Sequence, residues 1–463
     1  APGDAADPFY ENNAAASELG GDLKYAVTSN LTLDMTINPD FGQVEADPAE
    51  VNLSAFETFF SEHRPFFLES TDIYQLKIGY TDHLFHSRRI GRRPQGRANV
   101  LGGYSDSPDV TKINAAAKLS GKTEGGWTLG LLTAQTEEAI ANIVTVEGDR
   151  LTQVIEPGTQ YSYARVQKDF RSGRSAVGFV STYVQRDAIA ADDIGLHREA
   201  LTGGFDFRHR FWNDTHSLAG QIVGSRVAGS EATIARTQRS PGRYMHRPDA
   251  DHLNYDSNRT SLHGVNGFIN LSKVGGDNWR YDIGGRVRTA GFEANDMGFM
   301  TEADYTTSWV GVGYNEHRPS RHLRSWNVNW NLWQSVTHGG ERWSLGANVM
   351  ANFQLKNFWN VSLTGIYSHG LPSVYALRGG PRMRLPNRMG FSASVMTDSR
   401  KPIQVNLNLN TMFRPASDGF SVSLAPSFSW RPSDQLRLSL GASGNRSVGD
   451  QWVPRVDQDE AHY

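Results

Sequence analysis

The sequence contains no cysteine, which excludes disulfide frameworks, thiol nucleophiles and thiolate metal sites. It has no unbroken apolar run of the roughly 18 residues that a spanning helix needs. That excludes a helical membrane protein but not a strand-built one, because alternating strands leave only a weak hydropathy signal. Charge is sparse as well: Asp, Glu, Lys and Arg together make up 21%, and the formal net charge is -3. No nucleic-acid or other polyanion partner is implied. No apolar leader precedes Ala1, so any targeting peptide is expected to have been removed or to stand outside this sequence.

What is abundant is glycine, at 46, and large rings: 22 Phe, 16 Tyr and 11 Trp over 463 residues. The mixture suits long strands with glycine-rich turns and ring-rich surfaces. From about residue 112 one physical unit repeats, a segment alternating with period two and ended by a turn. Ile403, Val405, Leu407 and Leu409 oppose Gln404, Asn406, Asn408 and Asn410. Trp326, Val328, Trp330 and Leu332 oppose Asn327, Asn329 and Asn331 in the same way. A helix cannot segregate these faces, because its neighbours recur at three and four residues. Strands are expected near 112–121, 126–137, 258–274, 278–291, 323–337, 402–413 and 435–445, among others. Most exceed the five or six residues of an ordinary soluble strand and reach the roughly 9–11 that a tilted strand needs to cross hydrocarbon.

The connections carry the same message. Tight turns at Arg171-Ser172-Gly173, Asn213-Asp214, Gly275-Gly276-Asp277 and Asp398-Ser399-Arg400 pair the strands, and longer loops near 138–158, 188–200, 229–257 and 369–388 separate the pairs. Short connections on one rim and long ones on the other are the outer-membrane pattern, and the tight turn at His338-Gly339-Gly340 interrupts it. Arg208 and Arg210 alternate with Phe205, Phe207 and Phe211, and Arg280, Asp282, Arg286 and Arg288 alternate with Trp279, Ile283 and Val287. Facing lipid near midplane, such charges would cost about 2–4 kcal/mol each, so they are expected to line an interior holding water, a plug or opposite charge. Trp127, Trp279, Trp343, Trp359 and Trp430 fall near strand ends, where interfacial rings belong. The fold expectation is all-β, an antiparallel transmembrane β-barrel of the outer-membrane type, its strands in residues 112–463 and an extended strand plus plug-like segment in residues 1–111.

Within that first segment, Leu31, Leu33, Met35 and Ile37 alternate with Thr32, Asp34 and Thr36, while Phe56, Phe59 and Phe60 have helical spacing. The spacing predicts a short helix near 50–60 that ends before Pro65. A basic run follows at Arg88-Arg89-Ile90-Gly91-Arg92-Arg93.

Four stretches carry a family likeness: Leu33-Asp34 through Asn38-Pro39-Asp40-Phe41-Gly42-Gln43-Val44-Glu45-Ala46-Asp47, Phe59-Phe60 to Glu69, Ser87 to Arg92, and Gly291-Phe292-Glu293-Ala294-Asn295-Asp296-Met297-Gly298-Phe299. On these the chain resembles the bacterial outer-membrane β-barrel domain of unknown function commonly found C-terminal to a carbohydrate-binding family 9-like domain. The resemblance implies a barrel in the bacterial outer membrane, a carbohydrate-binding-like domain ahead of it and further strands behind it. It implies no established activity.

The candidate site residues form a charge network. Asp34, Asp40, Glu45 and Asp47 are oxygen donors of the type hard cations favour, but their spacing is not that of an EF-hand, and turn capping or pairing with interior arginines is the simpler reading. Glu57, Glu62 and Glu69, with Arg64 beside them, are expected to pair with Arg88, Arg89, Arg92 and Arg93, holding the segment in the lumen without isolated buried charge. Binding of an anionic sugar or lipid headgroup by the same basic run is the sharper alternative. Arg280 and Arg286 complete the expected luminal set. For the basic loop Arg378 to Arg388, a solvated rim competes with an inward-folded or partner-docking loop. His63, His83 and His86 lack a zinc-site spacing, the three glutamates fix no glycosidase geometry, and no Gly-x-Ser-x-Gly elbow occurs. No cofactor, metal or enzymatic activity is expected. Two functions compete: a transport or channel-like barrel, and a structural or docking module that anchors a glycan-binding domain or an outer-membrane protein complex. The expected partners are outer-membrane lipids, with other outer-membrane or periplasmic proteins or glycans besides.

Overall fold

The computed structural model describes residues 7–9, 19–39, 52, 55–100, 102–415 and 419–449. One antiparallel sheet of 19 strands dominates it. Its strands are β1 (Gly21–Thr28), β2 (Leu31–Ile37), β3 (Ile113–Lys122), β4 (Trp127–Thr136), β5 (Thr159–Phe170), β6 (Ser175–Arg186), β7 (Glu199–Phe211), β8 (His216–Ala228), β9 (Ser261–Lys273) and β10 (Trp279–Arg288). They continue as β11 (Tyr305–Glu316), β12 (Leu323–Val336), β13 (Arg342–Leu355), β14 (Asn360–Ser368), β15 (Arg388–Met396), β16 (Ile403–Arg414), β17 (Gly419–Ser433), β18 (Leu436–Gly441) and β19 (Gly444–Val448). Each strand from β1 to β17 pairs with the next in sequence, and β18 and β19 share the far side of β17. Among the described residues β1 pairs only with β2, so the sheet is seen open, not closed into a full barrel.

Register follows the alternation. Tyr314, Val328, Ala351, Leu363, Ala393, Leu409 and Leu424 stand directly across from one another on successive strands. A slip of one residue would exchange the two faces of a strand, so these aligned rows fix the pairing. The apolar face is uncovered: Ile222, Ile269, Ile283, Leu332, Leu407 (43% exposed) and Leu438 all lie open on it. Ile403 and Val405 are exposed as well, not sealed against a second sheet. Exposed apolar area on this scale exceeds the few hundred Å² typical of the largest patch on a soluble monomer.

Short connections sit on one rim, and Trp127, Trp212, Trp279, Trp326, Trp359 and Trp430 gather beside them. Trp343 stands on the opposite rim, where its ring meets Tyr375 edge-on at 5.7 Å. The long connections on that rim are not bare loops. Residues 104–106, 139–144 and 150–156 form a three-stranded sheet. A helix at Ala188–Ile194 starts on the Asp187 carboxylate and stops at left-handed Gly195, and a second at Glu231–Arg239 starts on the Ser230 hydroxyl. These are the short polar caps and the glycine stop that unsatisfied helix ends require.

The expected helix near 50–60 is absent from described residues 55–64; one turn of helix runs instead over Pro65–Leu68. Proline does not end this helix but starts it, because its fixed φ and missing N–H suit the first turn. The core then lies against the polar face. Phe67, Tyr74, Ile78, Leu84, Phe85 and Ile90 pack with Leu132, Tyr163, Val180 and Val223 of the sheet and with Phe292 and Met297 of the connection after β10. No described helix is long and apolar enough to cross a membrane.

Candidate functional site

The polar face divides into two parts. From β3 to β10 it carries charge, and residues 64–90 pack against it. Arg288 of β10 has no exposed side-chain surface. Its guanidinium donates to Asp82 Oδ2 at 2.6 Å, to the carbonyls of Glu302 at 2.7 Å and Ile78 at 2.8 Å, and to Asn266 Oδ1 at 3.0 Å. One strand residue thereby fixes the hairpin-like turn at 76–84 and the connection 289–304. Lys118 of β3 does the same for the one-turn helix: Nζ donates to the Phe66 carbonyl at 2.5 Å and the Glu69 carbonyl at 3.1 Å, with Asp34 3.6 Å away. Gln221 donates to the Lys77 carbonyl at 2.9 Å, and the Tyr163 hydroxyl to the Tyr74 carbonyl at 3.0 Å. At the tip of the turn Tyr80 is left 93% exposed.

Above this contact the long connections are laced together. Arg186 pairs with Asp296 at 2.7 Å, and Arg243 with Glu293 at 2.7 Å. Burial pushes both carboxyls up, but their neighbours prevail: Arg243 and His197 hold Glu293 below the usual carboxylate range, and His197 and Arg186 hold Asp296 far below it. Asp304, at φ 61°, accepts from His252 at 2.8 Å and lies 3.1 Å from His338 Nδ1. Arg382 reaches Asp249 and Glu341. Glu302 is pushed up to about 7 by burial and by Asp82, against the pull of Arg288.

The residues singled out from sequence fall as follows. Glu57 meets Arg89 through two hydrogen bonds of 2.8 Å, and Arg89 also donates to the Gly298 carbonyl at 2.9 Å. Glu62 turns not to the basic run but to its neighbour Arg64 (2.8 Å), which donates onward to the Ile90 and Ser87 carbonyls. Burial opposes ionisation of Glu62, yet Arg64 and Ser87 bring it down to about 2. Glu69 pairs with Lys24 at 2.5 Å. Arg92 lies 3.9 Å from Glu156, Arg93 forms an exposed pair with Asp109, and Arg88 donates to the Ser61 carbonyl at 3.1 Å. Among the described residues only Glu57 of the three glutamates is thus joined to an arginine of the run, because Arg64 takes Glu62 and Lys24 of β1 takes Glu69. Arg280 bonds its own turn through the carbonyls of Trp279 and Asp277. Arg286 lies over the Phe268 ring at 5.9 Å. Asp40, Glu45 and Asp47 lie outside the described residues. His83 and His86 pack against Phe59, and burial with Arg89 nearby lowers His86 to about 4. Among the described residues no group of three His, Asp or Glu side chains is arranged to hold a metal ion.

Sequence reasoning missed a contact with the outline of a catalytic triad: His197 lies 2.8 Å from both Asp296 and the Thr237 hydroxyl. That hydroxyl sits in a helix and donates to the Thr233 carbonyl at 3.1 Å. Its proton is committed to the backbone, so the arrangement buttresses a helix and presents no activated nucleophile.

From β12 to β17 the polar face is neutral. The charged residues of these strands are Arg324, Arg342, Arg388, Arg414 and Arg431, all at strand ends. Between them one register-aligned row reads Asn315, Asn327, Asn352, Ser362, Ser394 and Asn408. Amides are linked sideways, Asn331 to Asn348 at 2.7 Å and Asn352 to Asn327 at 3.0 Å. At the border of the two parts Trp309 and Trp333 are paired in register on adjacent strands.

Among solved structures the chain is similar to the FrpB iron transporter of Neisseria meningitidis, at 10% identity and TM-score 0.40, over 76% of this chain and 63% of that one. It is similar to the ferric enterobactin receptor PfeA of Pseudomonas aeruginosa, at 10% identity and TM-score 0.41, over 92% of this chain and 64% of that one. For OccAB3 of Acinetobacter baumannii the figures are 11%, 0.35, 74% and 91%. The chain thus spans less than two thirds of the FrpB and PfeA chains. No curated protein sequence matches it. A family model matches residues 5–462, and the chain belongs to that family, described as Domain of unknown function (DUF5916).

Proposed function

We propose that the chain is the membrane-embedded part of a bacterial outer-membrane β-barrel with a transport or channel-like role, and that residues 57–90 act as its plug. The observation that carries the reading is the pairing of an uncovered apolar face, ringed by tryptophans at the short-turn rim, with a polar face that holds buried charge and packed chain. Water rewards neither half of that arrangement, whereas hydrocarbon outside and water or protein inside reward both. In hydrocarbon the free edges of β1 and of β18 and β19 have to be covered, since unpaired backbone there costs several kcal/mol per group. Selection would rest on lumen size and wall chemistry, with no bond-making step. The packed segment covers the β3–β10 part of the polar face, so the path for solute would run along the neutral part.

The test is conductance of the full-length protein in planar lipid bilayers, beside a variant carrying Asp82→Ala and Arg288→Met together. Stepwise insertion with conductance that rises in the double variant is the expected result. Protein that inserts yet conducts nothing in either form would overturn the reading.

A further inference from the structure

The neutral part of the polar face has a chemistry of its own. Gly284 and Gly346 leave room for two rings: a Cβ on Gly284 would lie 2.3 Å from the Trp309 ring, and one on Gly346 would lie 2.3 Å from the Trp333 ring. Each indole therefore lies down over the glycine of the adjacent strand. Trp309 is held there by Nε1 donating to Asp282 at 2.6 Å. The two residues pair in register on the polar face and their rings lean outward, Trp309 over β10 and Trp333 over β13, with the amide rows beginning one step along the strands at Asn331 and Asn348. Both rings and these amides are half-buried, so a solute can reach them.

We infer that this surface binds uncharged, hydroxyl-rich solutes of the saccharide class. The inference rests on the polar face being the barrel interior and names the solute that passes there. Asn carries two N–H donors and a carbonyl with two lone pairs, so the single sideways bond from Asn331 to Asn348 leaves donors and acceptors on both for a solute. Sugar hydroxyls are donors and acceptors too, and the C–H faces of a sugar ring pack on a flat indole, whose apolar body and polar edge suit a half-wet surface. An ion gains little here: the Asp282 carboxylate at the border is already taken up by Trp309, Asn270 and Ser272, and beyond it the wall from β12 to β17 offers no fixed charge, away from the terminal arginines, to replace lost hydration. A few directional polar groups beside aromatic walls are the usual make-up of a small-molecule site.

The experiment titrates the full-length protein in detergent micelles with a linear, neutral glucose pentamer, followed by tryptophan fluorescence and by calorimetry. Saturable binding with Kd on the order of 1 mM is expected. Trp333→Ala should weaken it at least about tenfold, Trp333→Phe should restore part of the loss, and Trp330→Ala on the apolar face should leave it unchanged. No saturable binding, equal loss with Trp330→Ala, or tighter binding of a phosphorylated glucose or a neutral peptide than of the pentamer would each overturn the inference. Binding in micelles needs no open path, so binding without conductance sinks the transport reading alone, and conductance without binding sinks this one alone.

Discussion

Arg288 Nη1 and Asp82 Oδ2 meet at 2.6 Å, the first on a strand of the sheet and the second in the segment packed against it, with neither side chain more than 6% exposed. Removing one member leaves the other buried and unpaired, which typically costs about 3–5 kcal/mol. Asp82→Ala and Arg288→Met should each loosen residues 76–84. The double change should cost less than the sum of the two, since no orphaned charge remains. Limited proteolysis within residues 76–84, read beside denaturant unfolding in micelles, measures both effects; strict additivity would show that the pair is not coupled.

A second prediction separates the two faces at neighbouring positions. Leu407 opens onto the apolar face and Asn408 onto the polar one. Under the proposed orientation Leu407→Arg places a cation in hydrocarbon and should cost about 2–4 kcal/mol of folding into lipid vesicles. Asn408→Arg should change stability by no more than about 0.5 kcal/mol. Equal effects at the two positions would remove the case for a lipid-facing row.

Much of this was legible in advance. The row Ile403, Val405, Leu407 and Leu409 is found on one face of Ile403–Arg414, against an expected strand at 402–413. Period-two patterning survives folding because both faces are defined by solvent, and nothing else competes for it. The stretches between strands were less legible. Residues 139–156 form two short strands, and a helix runs over Glu231–Arg239. The caps were present in the sequence as Asp187, Gly195 and Ser230, but a seven- or nine-residue helix shows little periodicity. The partners of Glu62 and Glu69 could not be read either. Arg64 is two residues from Glu62, while Lys24 reaches Glu69 only because β1 comes beside the one-turn helix. The neutrality of the wall from Asn327 to Ser429 was visible residue by residue, but it acquires meaning only when register stacks those residues into rows.

Glu302 gives a pH dependence with a definite sign. Its carboxyl rises from 4.5 to about 7 in the folded protein, so between those values the folded state holds a proton that the unfolded state has released. Stability should fall as pH rises through that window, by about 3 kcal/mol in all. His86, lowered from 6.5 to about 4, works in the opposite sense and loses its contribution as pH drops through its own range. The two overlap, so the difference between wild type and Glu302→Gln isolates the first. Chemical denaturation from pH 4 to 8 should show the variant gaining relative stability toward pH 8, and a pH-independent difference would contradict the assignment.

Asp304 ties two long connections and a tight turn together at the rim where solute would enter. Its backbone is left-handed, with φ 61°, and its carboxylate faces His252 of the connection after β8 and His338 of the turn after β12. Asn occupies left-handed backbone more readily than Ala, whose Cβ penalty there is about 1–2 kcal/mol with no side-chain hydrogen bond to offset it. Asp304→Asn should therefore keep the turn and one acceptor, whereas Asp304→Ala should lose both and strain the chain. Hydrogen exchange is the measurement: amides in 246–256 and 337–341 should exchange faster in the Ala variant than in the Asn variant, and faster in both than in wild type. Matching exchange in all three proteins would mean that the histidine contacts do not hold the rim.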